Sequence, residues 1–156
     1  MELPLDTIKK VRFKRRRVPI SPELRPAYRI SRIILILNYS CHNKKSSLLK
    51  LQLFNWGLQN ENRYEVLLKL REKNKFPIIR FDPFLNKALC YGVAANLFDY
   101  NRNTGKFSLT TFGEEMAEKV IQEDVLNNEK EILKKINKKL SDDYIKKLFQ
   151  RGNLNE

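Results

Sequence analysis

The sequence predicts a mainly α-helical α+β fold with a small β-sheet, and three observations in the stretch 82–113 carry that expectation. Asp82 before Pro83 marks a helix start: the carboxylate can accept from free first-turn amides, and proline at the first helical position forgoes only a donor the helix does not need. Phe98 and Tyr100, then Phe107 and Leu109, alternate with polar neighbours on either side of a 101–106 loop in which Gly105 can take a positive φ, the pattern of a hairpin. Thr111 and Glu114 then have the spacing of a capping box at the head of another helix. Helix, hairpin and helix in this order form the back half of a winged helix-turn-helix.

Before that stretch the chain divides readily. Segment 9–17 places seven basic residues, Lys9, Lys10, Arg12, Lys14, Arg15, Arg16 and Arg17, around Val11 and Phe13. It has no helical apolar face, so 1–20 reads as a basic N-terminal arm. Ser21, Pro22 and Glu23 resemble a helix start, and Pro26 would move the regular helix to its far side. Over 28–40, Ile30, Ile33, Ile34 and Leu37 follow the i, i+3, i+4, i+7 spacing of a buried stripe. The polar run 38–45 breaks it. A second helix over 46–59 has Leu49, Leu53 and Trp56 on one side, while Leu48, Leu51, Phe54 and Leu58 make it apolar nearly all round, so it must lie between neighbours. A third helix over 61–73 carries Tyr64, Leu67 and Leu68 on one face and Lys69, Arg71 and Lys73 towards its C-terminal end, where positive charge suits the helix dipole. Residues 78–81 are a strand candidate that would complete a sheet of about three strands with the hairpin.

Beyond the hairpin, helices are expected over 112–126, over 129–140 behind an Asn128 cap, and over 142–150 behind a Ser141 cap. Ile132, Ile136, Leu140, Tyr144 and Leu148 continue at helical spacing, leaving the C-terminal helical extension, 127–156, with a seam to bury against a partner. The winged-helix domain then spans 21–126. Its expected core is Ile30, Ile33, Ile34, Leu37, Leu49, Leu53, Trp56, Phe98, Phe107 and Leu109.

Composition bounds the function. At 156 residues the chain has room for one domain with a real core, and 42% hydrophobic residues with nine Phe point to a folded protein. The mean hydropathy of -0.54 and a longest apolar run of only 33–37, against the roughly 20 residues needed to span a bilayer, predict no membrane insertion. The opening residues lack a signal-peptide pattern, so a cytoplasmic location is expected. Cys41 and Cys90 with the single His42 cannot supply four soft zinc ligands and are read as free buried thiols. The net charge of +13 is uneven: residues 1–25 carry eight basic and three acidic side chains, 26–80 eleven and three, 81–110 three and two, and 111–156 nine and ten. The excess sits in the first half, which implies a polyanion or an acidic partner.

Candidate sites follow from these patterns. The arm residues suit phosphate contact without base reading, as do Arg102 and Lys106 on the wing. The helix over 83–97 looks unlike a base reader: Lys87 is its one charged side chain, and Leu85, Ala88, Leu89, Val93, Ala94 and Ala95 dominate. Leu85, Leu89 and Tyr91 are therefore assigned to a partner-binding side, together with the Ile132-to-Leu148 seam. Trp56 reads as a core residue, with an interface hot spot as the alternative. Cys41-His42 lacks the further residues that metal binding or nucleophilic catalysis requires, and Gly105-Lys106 lacks the other elements of a phosphate loop. Glu114-Glu115 and Asp142-Asp143 sit at helix starts, where they favour the dipole. No catalytic constellation, metal site or cofactor site is visible.

The segments "RISRIILIL", "SSLLKLQLFNWGLQN", "IIRFDPFLNKALCYGVAANLF" and "FSLTTFGEEMAEKV" resemble the middle component of ABC-three-component systems, the small winged-helix subunits of Lamassu-type bacterial defence modules. The resemblance covers about 21–121 and rests on Leu53, Asn55, Trp56, Asp82, Pro83, Leu85, Asn86, Leu109, Thr110 and Gly113. The basic arm and the helical tail past Asp124 depart from it. It implies a non-enzymatic adaptor that bridges an SMC-like ABC ATPase sensing foreign DNA and an effector, often a nuclease, with double-stranded DNA met through the complex. A stand-alone winged-helix transcription regulator is the alternative of a different class, expected to form a homodimer on a palindromic site.

Overall fold

A computed structural model describes residues 25–154. They form eight α-helices and a three-stranded antiparallel sheet, so the fold is mainly helical α+β. Helix α1, Pro26–Ser40, starts with Pro26 at its first position and buries Ile33, Ile34, Leu35, Ile36 and Leu37 completely or nearly so. An all-buried run of five cannot be a single stripe, and α1 is accordingly the central helix, packed by partners on several sides.

A short 3-10 turn, His42–Lys44, leads into β1, Lys45–Ser47. The strand joins Lys45, the end of the polar break, to Ser46 and Ser47, expected to open the second helix, while 78–81, expected to be a strand, belongs to none. Ser46 opposite Phe107 and Lys45 opposite Ser108 give β1 its register on the later hairpin. Its polar sequence hides it because main-chain pairing and the helix cap at Ser47, rather than an apolar alternation, hold it there. Ser47 Oγ accepts from the Lys50 amide at 3.3 Å and starts α2, Leu48–Gly57, whose near-total burial agrees with its all-round apolar surface.

Asn60 caps α3, Glu61–Leu68, and a non-helical Lys69 separates it from α4, Leu70–Lys73, which closes at Asn74 with a left-handed φ of 49°. The single helix expected over 61–73 is therefore two. Helix α5, Pro83–Ala94, begins where Asp82-Pro83 required it, with Asp82 accepting from the Phe84 amide at 2.9 Å. The hairpin follows as β2, Phe98–Asn101, and β3, Lys106–Leu109, with Gly105 at φ 68° in its turn. The sheet order is β1-β3-β2.

Helix α6, Thr111–Gln122, is capped by Thr110 rather than Thr111: Thr110 Oγ1 accepts from the Gly113 amide at 2.9 Å and donates to the Asn96 carbonyl at 2.6 Å. Gly113 is required there, because a Cβ would stand 2.2 Å from the Leu97 carbonyl oxygen. Helix α7, Asn127–Ile136, starts at Leu126 in a left-handed conformation without a side-chain cap, so the expected Asn128 cap is not used. Ser141 does cap α8, Asp142–Leu154, accepting from the Tyr144 amide at 3.2 Å.

Helices α7 and α8 pack on α1, α2 and α3 and share one core with the preceding elements. The seam assigned to a partner is filled from within. Ile132, Ile136, Leu140 and Leu148 are buried, and Tyr144 is half-buried, its hydroxyl donating to Asn74 Oδ1 at 3.0 Å beneath the Arg71 guanidinium. A stripe at helical spacing states that it needs cover, not whose side chains provide it. Of the expected core, Ile33, Ile34, Leu37, Leu53, Phe98 and Leu109 are buried, while Ile30, Leu49, Trp56 and Phe107 are half-buried against them.

Candidate docking interface

The start of α5 is held by a polar network that sequence patterns alone do not assemble. Asp82 uses one carboxylate oxygen as the helix cap and the other to pair with the largely buried Arg29 of α1 and accept from Asn55 Nδ2 at 3.3 Å. Gln52 of α2 grips the same residue through its main chain. Its Oε1 accepts from the Asp82 amide at 2.9 Å, and its Nε2 donates to the Asp82 carbonyl and to Asn86 Oδ1, each at 3.1 Å. Arg32 reaches Asn55 Oδ1 at 3.4 Å and the Tyr28 hydroxyl at 3.2 Å, and that hydroxyl donates to Glu129 Oε1 on α7 at 3.1 Å.

Two arginines thus face two carboxylates, Asp82 and Glu129, within one connected network. Buried charge is tolerated only when it is paired and hydrogen-bonded in this way. Burial pushes the Tyr28 hydroxyl above its ordinary pKa, with the Arg32 guanidinium pulling the other way. Among the described residues the Arg32 Nε is buried without a hydrogen-bond partner. The signal available in sequence was polar side chains inside apolar helices: the charged Arg29 and Arg32 three apart in α1, and the amides Gln52 and Asn55 three apart in α2.

This clamp fixes which sides of α5 face in and out. Leu85, Ala88, Leu89 and Gly92 are internal, and Gly92 is glycine because a Cβ would fall 2.2 Å from the Phe98 ring. Leu85 and Leu89, assigned to a partner side, are therefore core residues; with a period of 3.6, apolar character on both faces of α5 left the inward one undetermined. Tyr91 does face out, 62% exposed, and Phe84 is 49% exposed. Cys90, Val93, Ala94 and Ala95 are exposed with them, and Lys87 supplies the face's one charge. Cys90 differs in this from the buried thiol expected, whereas Cys41 is fully buried and its pKa is raised by that burial.

The phosphate-binding candidates are dispersed. Lys9, Lys10, Arg12, Lys14, Arg15, Arg16 and Arg17 lie outside the described residues. Arg102 is exposed in the hairpin turn, but Lys106 is partly committed, its Nζ 3.4 Å from Asp142 Oδ2. Asp142 also accepts from the Ser47 amide and hydroxyl at 3.0 and 2.9 Å, so it ties α8 to the β1–α2 junction besides favouring its own helix dipole. Trp56 is half-buried beneath the Arg63 guanidinium, 4.8 Å from its centroid.

Among the described residues no group of His, Cys, Asp and Glu could hold a metal ion, and no helix is long and apolar enough to cross a membrane. Comparison of the chain with protein-family models, curated proteins and solved structures gives no match.

Proposed function

We propose that the chain is a non-enzymatic winged-helix adaptor of a Lamassu-type defence complex, docking through the outward face of α5 between an SMC-like ABC ATPase and a nuclease-like effector. The observation that carries the reading is the composition of that face. Phe84, Cys90, Tyr91, Val93 and Ala94 with the single Lys87 offer almost nothing to base edges or phosphates, and much to an apolar protein surface.

The winged-helix assignment is supported by β1 lying between α1 and α2, by the hairpin following α5, and by the order β1-β3-β2. The residues that carry the family resemblance occupy positions with physical demands: Asp82 and Asn55 in the clamp, Leu53, Leu85 and Leu109 in the core, Thr110 at the α6 cap, and Gly113 at a close backbone approach. DNA contact in this reading comes from the arm. Reversing the charges of Lys14, Arg15, Arg16 and Arg17 is then expected to flatten the salt dependence of DNA binding by the complex, by about 0.9 in log–log slope for each phosphate no longer neutralised.

The deciding experiment is co-expression with any SMC-like ATPase found encoded beside the chain, followed by co-purification. Tyr91→Asp is expected to leave the isolated chain folded and to abolish recovery of the ATPase. Assembly retained by a folded Tyr91→Asp variant overturns the assignment of this face, and a homodimer bound to a palindromic site would establish a transcription regulator instead.

A further inference from the structure

A recess of about 720 Å³ lies between residues 74–81 and α8. Phe76 and Phe149 meet edge to face at 5.2 Å in its wall, and Phe81, 48% exposed, stands at its edge. Ile78, on the same segment, is 98% exposed, an unusual setting for a large aliphatic side chain. The charged side chains lining the recess are Lys75 and Arg151, and no carboxylate lines it. Arg80 adds a third exposed cation on the segment.

The main chain is equally unpartnered. Residues 75–81 belong to no helix or strand, and among the described residues none of their amide or carbonyl groups is paired with another backbone group. Yet Phe76, Ile78, Ile79 and Phe81 are strong strand formers. A strand-forming sequence with open hydrogen-bonding groups beside an apolar recess is the arrangement that accepts an added strand.

We infer that residues 78–81 take up an extended segment of another protein as an added strand, its aliphatic side chains entering the recess and its Asp or Glu side chains meeting Lys75, Arg80 and Arg151. Pairing begins at Ile78, since Pro77 has no amide to donate. A second copy of this chain is the poorer occupant, because self-pairing brings the cations of two segments together. Nucleic acid is the nearer rival, since Phe81 offers a ring on which a base can stack, but the most exposed side chain of the segment, Ile78, is aliphatic and suits an apolar protein side chain better than a base. The site stands on this recess and does not depend on the assembly proposed for the α5 face.

Selecting short random peptides displayed on phage against the full chain tests the inference. Enriched peptides are expected to combine Leu, Ile or Phe with Asp or Glu, and a synthetic copy should lose about tenfold or more in affinity for Ile78→Asp and for the double variant Lys75→Glu, Arg151→Glu. Tyr91→Asp should bind it unchanged, which separates this site from the α5 face. Unchanged circular dichroism of Ile78→Asp would show that lost binding is local. Failure to enrich any such peptide, or binding that survives Ile78→Asp, overturns the inference. Labelled oligothymidylate bound only when Ile78 is intact would assign the recess to nucleic acid, and a dimer in sedimentation that Ile78→Asp dissociates would assign it to a second copy; either result also overturns it.

Discussion

Gly113→Ala offers a direct test of how the head of α6 is seated. The added Cβ would stand 2.2 Å from the Leu97 carbonyl oxygen and 3.1 Å from Leu109 Cδ2. The first contact is with main chain. That carbonyl also accepts from the Thr110 amide at 3.1 Å and from Thr110 Oγ1 at 3.2 Å, so moving it strains the α6 cap and the end of the α5–β2 connection together. Overpacking costs about 1–3 kcal/mol, and a contact with backbone belongs at the upper end. Against this, replacing helical glycine by alanine recovers about 0.5–1 kcal/mol. The net loss of about 2 kcal/mol corresponds to a fall in Tm of roughly 5 °C for a chain of this size. Thermal unfolding followed by circular dichroism reads it. Gly92→Ala, whose Cβ would meet the Phe98 ring at 2.2 Å, should fall less because a ring can shift. Gly152→Ala, with nothing within 4 Å, should rise slightly. An unchanged or raised Tm for Gly113→Ala would show that the Leu97 carbonyl does not confine position 113.

Three other expectations can be measured on the isolated chain. Asp82→Ala removes a helix cap together with the Arg29 ion pair and the Asn55 hydrogen bond, so denaturant unfolding should show a loss of about 2 kcal/mol or more, and a loss under about 1 kcal/mol would dismiss the clamp. One thiol, Cys90, should react promptly with a thiol reagent in native buffer and Cys41 only after denaturation; two fast thiols would contradict the burial of Cys41. Tyr28 and Tyr64 both have their pKa raised, chiefly by burial, so their neutral forms favour the folded state. Their contribution is fully present below the unfolded value of about 10 and is lost as pH rises through the folded values. Stability should therefore decline from about pH 10 upward, less steeply in Tyr28→Phe, and an identical decline in both proteins would remove Tyr28 as its cause.

Local chemistry made some elements readable from sequence and left others hidden. Asp82-Pro83, Ser141 and Gly105 each state a backbone requirement within a few residues, and the helices and turn appear where they say. The strand did not follow the same rule. Residues 78–81 have strand-forming side chains but remain unpaired, whereas Lys45–Ser47, polar throughout, pairs with β3 because the chain must pass there between α1 and α2. Propensity sets what a segment tolerates, and the position of its neighbours sets what it does.

The candidate interface was half legible for a related reason. Tyr91 emerged outward as expected, yet Leu85 and Leu89 turned inward and the α7–α8 seam closed on α1, α2 and α3. Amphipathic spacing identifies an apolar face without identifying its cover. The clamp around Asp82 was invisible for the opposite reason: its members are spread from Tyr28 to Glu129, and no local pattern links them.

The Tyr28–Glu129 hydrogen bond spans 101 positions, and Ser40 on α1 likewise donates to the Leu133 carbonyl at 3.3 Å on α7. The central helix is therefore synthesised well before α7 and cannot be completely covered until α7 follows. At roughly 5–20 residues per second, Ile33 to Leu37 would wait on the order of 5–20 s on the ribosome without their full surroundings. Such an interval makes the yield of folded chain sensitive to translation speed and to whatever binds nascent apolar helices, so slowed synthesis or supplied chaperones should change recovery more than any adjustment of the purified protein's buffer.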